Sequence, residues 1–257
     1  MKKILIFSLI FISLHASNVQ NYEMIEENVL IDSSLINASV EQGTFTVIDS
    51  TVDAFVLGQV GDKNEIRNSS ITNSTLMQGT VDLNQSIVLR SSFYSNNELL
   101  NSSIENNSVV EQGTLDMQSG TLNDSSLLLV NLIDGASIRN STVSQSEIDI
   151  YNSTVENLTL ESRHTIDDGF SAVSITDSVV TQGRFSVVGN SSLDSSVVTL
   201  QSRISGTVIN NSIVNLCGLS ISNGVTVSGN TIQQTCNLNN TTVNGANLSI
   251  GMTTITK

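Results

Sequence analysis

Few side chains in this 257-residue chain have the chemistry of an active site. It carries two histidines, His15 and His164, and two cysteines, Cys217 and Cys236, and it has neither Trp nor Pro. A zinc site needs three or four His, Cys or carboxylate ligands at one point. One histidine in the body of the chain does not supply that. Polysaccharide cleavage needs clustered carboxyl groups lining one groove. The arginines that would accompany them (Arg67, Arg90, Arg139, Arg163, Arg184 and Arg203) are scattered singly. His164 stands in Glu161–Asp168, the least regular stretch, and reads as part of a polar loop. Three acids share one slot, between two apolar residues: Asp82, Asp116 and Asp149. They read as an exposed row, about 10 Å apart, that keeps a face soluble and discourages edge pairing. Calcium would need six or more oxygens converging on one point. We therefore read no catalytic residue, no metal and no cofactor.

Composition narrows the partners. Twenty-four acids against ten bases give a net charge of −14, which excludes a nucleic-acid partner on electrostatic grounds. Ser, Thr and Asn make up 94 residues, yet 39% of the chain is apolar, enough for a core. Lys2 and Lys3, the apolar run Ile4–Leu14 and small Ala16 have the layout of a secretory signal peptide over residues 1–16. Its removal leaves 8 bases against 24 acids, a net −16. No later stretch is apolar enough to span a membrane. The expected location is secreted, either extracellular or at the outer surface, with the periplasm as the other oxidising compartment.

The elements that position these residues are repeats. Val40-Glu41-Gln42-Gly43-Thr44 recurs around Gln78, Gln112 and Gln182, more weakly around Gln145, and by its flanks alone around Leu216. The spacings are 36, 34, 33, 37 and 34 residues. Each unit opens on an apolar residue and two positions later has Asn or Asp: Asn37, Asn73, Asn106, Asn140, Asp177 and Asn211. Apolar pairs at i, i+2 follow, among them Val81/Leu83, Ile148/Ile150 and Phe185/Val187, which is strand periodicity. The Asn/Asp and the Gly after Gln suit tight corners. A second apolar cluster in each unit suggests two coils of 17–18 residues per 35-residue repeat. The expected fold is all-β, a single parallel β-solenoid of about 12 coils and roughly 60 Å at one strand spacing per coil. The absence of Pro agrees, since Pro removes a ladder donor. The Gln column (Gln42, Gln78, Gln112, Gln145, Gln182) and the Asn/Asp column are expected to form structural side-chain ladders. A β-sandwich is the competing fold, but it gives no reason for the period.

Over about Ser33 to Ile250, with its Φ-x-[ND]-S-x-Φ-x-Q-G pattern, the chain resembles bacterial secreted parallel β-helix proteins, a class with many adhesins and surface fibres. It is less closely similar to curli-type functional amyloids, whose repeats are shorter and more regular. The resemblance implies a non-enzymatic secreted or cell-surface structural or adhesive protein. The alternatives are a self-assembling extracellular fibre subunit and a carbohydrate-active β-helix enzyme. The partners implied are a second copy, a host or abiotic surface, or a polysaccharide. We divide the chain into signal peptide 1–16, N-terminal cap 17–32, solenoid 33–250 and tail 251–257. Cys217 and Cys236 lie 19 residues apart, close to one expected coil, so stacking alone would bring them within disulfide reach. The alternative is a reduced, buried pair.

Overall fold

The computed structural model describes residues 11–15, 18–20, 23–24, 28–54, 56–57, 64–167, 173–222 and 224–255. Among these residues all regular structure is β-strand, and the strands pair in parallel. The protein is a parallel β-solenoid. Paired residues lie 33 to 38 positions apart in sequence, as in Ser126↔Thr159 and Thr159↔Val197. One turn therefore takes the whole repeat, and the expectation of two coils per repeat is corrected. Six turns carry the chain from Leu35 through Ile71, Ile104, Ile138, Ile175 and Ile209 to Val243. At about 4.8 Å per turn that is roughly 30 Å, half the expected length.

Each turn has four walls. A long wall carries the Gln column, as in Thr142–Tyr151 and Val179–Val188. A short wall such as Thr121–Asn123 follows. A second long wall, such as Ser126–Asp134 or Thr159–Asp167, runs back. A second short wall such as Ser103–Glu105 closes the circuit. We call the long walls the glutamine wall and the asparagine wall, after their inward polar columns. The apolar side chains form two separate stacks rather than one. Val47, Val52, Val81 and Leu83 begin one; Ile66, Ile71, Leu76 and Leu99 begin the other. Each stack fills half of every turn. The two apolar clusters per repeat thus lie side by side within one turn, not one above the other.

The corners explain the composition. Asn37, Asn73, Asn106, Asn140, Asp177 and Asn211 all have φ between 47° and 56°. Asn and Asp tolerate this left-handed backbone better than other residues with a Cβ. Asn68, Asp124 and Asn152 turn other corners in the same way. A buried serine follows each of these: Ser69, Ser125 and Ser153, like Ser74 and Ser178. Its hydroxyl donates to the carbonyl two residues back, as Ser178 does to Thr176 at 2.7 Å and Ser69 to Arg67 at 2.8 Å. It also accepts the backbone N–H of the corner one turn earlier: Ser69 N on Ser102 Oγ at 3.1 Å, Ser153 N on Ser191 Oγ at 3.1 Å, Ser178 N on Ser212 Oγ at 3.2 Å. A strand ladder cannot supply that acceptor where the backbone bends, so the serine does.

The stacking also runs past the 33–250 limits of the repeat. Asn28–Ile31 pairs with Asn64–Arg67, Phe11–His15 with Thr44–Ile48, and Thr253–Ile255 with Leu219–Ile221. Residues 1–10 of the signal-like segment, and Ala16 at its end, lie outside the described residues.

Replacing Ser178 by Ala leaves the Ser141 amide, 3.3 Å from Ser178 Oγ, without its acceptor. The expected loss is about 1–3 kcal/mol. Urea unfolding measures it, and a midpoint equal to the parent's would show that water replaces the hydroxyl.

Candidate functional site

Of the polar columns picked out by sequence, the Gln column lies in a seam between the two apolar stacks, where it faces asparagines that the sequence pattern does not single out. On the glutamine wall, Gln78, Gln112, Gln145 and Gln182 are fully buried and Gln42 nearly so. From Gln78 onward each donates its amide to the Gln of the preceding turn, at 2.8, 2.8, 2.8 and 2.6 Å in chain order. The ladder stops at Gln182, whose Oε1 has no partner among the described residues, because Leu216 occupies the next slot. The asparagine wall answers with Asn64, Asn97 and Asn131. Asn64 Nδ2 donates to Asn97 Oδ1 at 2.9 Å, and Asn97 Nδ2 to Asn131 Oδ1 at 2.7 Å. The two facing ladders donate in opposite directions along the rod, so their amide dipoles oppose one another. The corner column behaves differently. It shares its backbone shape, and its amides touch at Asn73 on Asn37, 2.6 Å, on the exposed surface.

His164 continues the asparagine column. It lies in the strand Thr159–Asp167, in register between Asn131 and Ser202, and is buried. The expectation of a polar loop is corrected: alternation places residue 164 inward, and its neighbours are amide and hydroxyl groups. Asn131 Nδ2 lies 3.1 Å from His164 Nδ1 and donates to it. The ring proton then belongs on Nε2, facing Ser162 Oγ. Burial lowers the His164 pKa from 6.5 to about 3, so the ring is neutral. Asp168, beside the same stretch, lies outside the described residues.

The residue after the Gln column is what lets the walls approach. Gly43, Gly79, Gly113 and Gly183 have φ between 62° and 68°. A Cβ on Gly113 would sit 2.9 Å from the Asn131 amide, and one on Gly183 3.0 Å from Ser202 Oγ. Ser146 fills the same slot in another turn and accepts from Asn131 at 3.0 Å. Cys217 fills it one turn beyond Gly183, at φ 53°. Cys217 and Cys236 form a disulfide with Cα atoms 6.2 Å apart. The geometry differs from the stacked pair expected: nineteen residues is about half a turn, so the bridge crosses the seam from wall to wall.

Outside this pinched column runs a shallow groove. One part of about 310 Å³ is lined by Thr80, Asp82, Glu111, Asp116, Glu147 and Asp149. Asp82, Asp116 and Asp149 occupy successive turns, so they stand one strand spacing apart, about 4.8 Å, and not the 10 Å expected. Partial burial, then the neighbouring Asp116, raises the Asp82 pKa; partial burial, then Glu147, raises that of Glu111. Arg184 ends the acidic row by pairing with Glu147 and Asp149. Arg90 pairs with Asp53, Arg163 with Glu161 and Arg203 with Asp167. No group of three or more His, Cys, Asp or Glu among the described residues is arranged to hold a metal ion. Among the same residues no helix is long and apolar enough to cross a membrane.

No family model matches the chain, and no curated protein matches it. Solved structures show only faint likeness, among them the following. HetL, a pentapeptide repeat protein involved in heterocyst differentiation regulation in the cyanobacterium Nostoc, is 12% identical over 87% of each chain, with a TM-score of 0.14. QnrB1, a plasmid-mediated fluoroquinolone resistance protein, is 10% identical over 65% of this chain and 83% of its own, with a TM-score of 0.11. The Streptococcus pneumoniae surface protein and adhesin PfbA is 10% identical over 93% of this chain and 91% of its own, with a TM-score of 0.11. Scores this low carry no argument; the fold rests on the strand register itself.

Substitution in the seam tests both columns. Gln112→Leu breaks the ladder in its middle, leaving Gln78 Oε1 without a donor and Gln145 Nε2 without an acceptor. At about 1–3 kcal/mol for each orphaned group it should cost more than Gln182→Leu, which orphans only Gln145 Oε1. Equal midpoints in urea would refute the ladder's role. For His164 the unfolded chain takes up the proton first, since its pKa of 6.5 exceeds the folded value of about 3. The neutral-ring contribution is full above pH 6.5 and falls away towards pH 3, by up to about 1.4 kcal/mol per pH unit. His164→Asn keeps an amide in the column and should flatten the stability profile in that window. Parallel profiles for parent and variant would sink the assignment.

Proposed function

We propose that the protein is a non-enzymatic, secreted solenoid with a structural or adhesive role at a bacterial surface. What supports this most is where its polar side chains go. The corner serines and the Gln and Asn columns are joined turn to turn and buried inside the stack, away from any ligand. The arginines of the acidic groove and both long walls are paired with carboxylates, which neutralises the groups a uronic-acid site would need. What faces outward is broad wall. On the asparagine wall Leu128, Val130 and Leu132 form a half-exposed apolar row beside Glu161 and Arg163, a surface suited to contact with a polysaccharide or a host or abiotic surface. A second reading, as a fibre subunit, is favoured by the repetition of one cross-section, since each turn offers the next the same outline and ladder groups.

Electron microscopy of the exported protein, followed over days, tests the choice. Discrete rods about 30 Å long are expected. Growing filaments would favour the fibre reading. Reproducible release of oligosaccharides from a uronic-acid or neutral polysaccharide would overturn both.

A further inference from the structure

The disulfide occupies a slot that elsewhere holds glycine, and this sets what happens when it opens. Cys217 is fully buried, while Cys236 is half buried. Beneath it, a Cβ on Gly251 would lie 4.0 Å from Cys236 Sγ, so glycine rather than a side chain stands at that position against the sulfur. The strands of the turn that follows, Thr231–Asn239 and Asn247–Ile250, pair with the turn above; of their inward residues Ile232 and Leu238 are half-buried and Leu248 is exposed. Across the same pinch in the turn above, the space beside Gly183 is already taken by Ser202 and His164. A bonded pair of sulfurs fits such a gap. Two free thiols must stand apart at the roughly 3.5–4 Å of non-bonded heavy atoms, which pushes the walls open.

We propose that Cys217–Cys236 is a redox clasp: reduction releases residues 219–255 from the solenoid while the turns above stay folded. The reductant is a dithiol. Its first thiolate attacks the accessible Cys236 Sγ, and Cys217 leaves as a thiolate that takes up a proton. The second thiol of the reductant then displaces Cys236 from the mixed disulfide, and that thiolate is protonated in turn. The protein gains two electrons and two protons, and the dithiol ends as a cyclic disulfide.

The test is amide hydrogen exchange of the whole protein, with and without dithiothreitol. In the reduced form, exchange in residues 219–255 should rise by about a hundredfold, while residues 64–205 keep their protection. The double variant Cys217→Gly/Cys236→Ser copies the residues found at Gly183 and Ser202 in the turn above, so it relieves the crowding as well as removing the bond. It should be indifferent to dithiothreitol. Unchanged exchange in the reduced parent would overturn the proposal. So would a rise spread equally over residues 64–205, or a response of the double variant to the reductant.

Discussion

Parallel strands stacked at one spacing leave no freedom in the outline of a turn: whatever shape one turn takes, its neighbours must take too. Straight walls meet this demand through backbone ladders alone. Corners do not, because a bent backbone turns an N–H away from the carbonyl above. The corner residue in left-handed backbone and the serine behind it solve the problem together. The first makes the bend, as Asp177 does at φ 50°. The second gives the amide of the preceding turn an acceptor, as Ser178 does for Ser141. Corners at the ends of four walls, repeated turn after turn, account for much of the serine and asparagine that at first sight looks like low complexity. The exceptions fit the same account. Gly120 and Leu158 lack a hydroxyl, yet each still donates its own N–H to the serine of the next turn, Ser153 and Ser196.

The second constraint is the width of the turn. Two long walls enclosing one apolar core across their whole length would need large side chains in every slot. The chain instead builds two narrow stacks and draws the walls together between them. Glycine at the pinch permits the approach, and the facing Gln and Asn ladders fill it with mutually satisfied amides. A buried amide without a partner is costly, so the seam tolerates departures only where a neighbour can answer. Ser146 is answered by Asn131, which also answers His164. Past Gln182 the pattern changes altogether: Leu216 ends the ladder, and the covalent bridge of Cys217 holds the walls in its place.

This division into halves is also what hides the turn length from a reading of the sequence. Each half-turn has the same grammar, an apolar pair, a corner and another apolar pair, so a period of half the repeat is present but relates lobes side by side. Only pairing distinguishes the two arrangements. The full repeat, the inward slots of Ile148 and Phe185, and the Gln column are readable because side chains alternate along a strand whichever way the turns close, whereas Asn64, Asn97 and Asn131 escape notice because the recurrent asparagines of the pattern are those of the corners. The serine of the Φ-x-[ND]-S-x-Φ-x-Q-G pattern, as in Asn73-Ser74 and Asp177-Ser178, is legible as a recurring type, but its bond to the corner of the neighbouring turn is not, and the equivalent Asn68-Ser69 lies outside that pattern. His164 is easily misplaced because its segment lacks the usual residue types, while its alternation, Leu160, Ser162, His164, Ile166, is intact. The Asp82, Asp116 and Asp149 row is recognisable as a column, but its spacing depends on the turn length and changes with it.

The same economy bears on function. Inward slots are constrained by the slots above and below them, and a side chain buried in such a ladder is out of a ligand's reach. Outward slots carry no such obligation, and along the groove of the glutamine wall they drift. The column of Asp82, Asp116 and Asp149 continues as Ser186 and Ser220. Glu147 gives way to Arg184 and then to Gly218. One end of the groove is therefore acidic and the other neutral, on a scaffold that does not vary beneath them. The outward positions are where single substitutions change charge without disturbing a ladder. A regular solenoid thus separates what holds it together from what it presents.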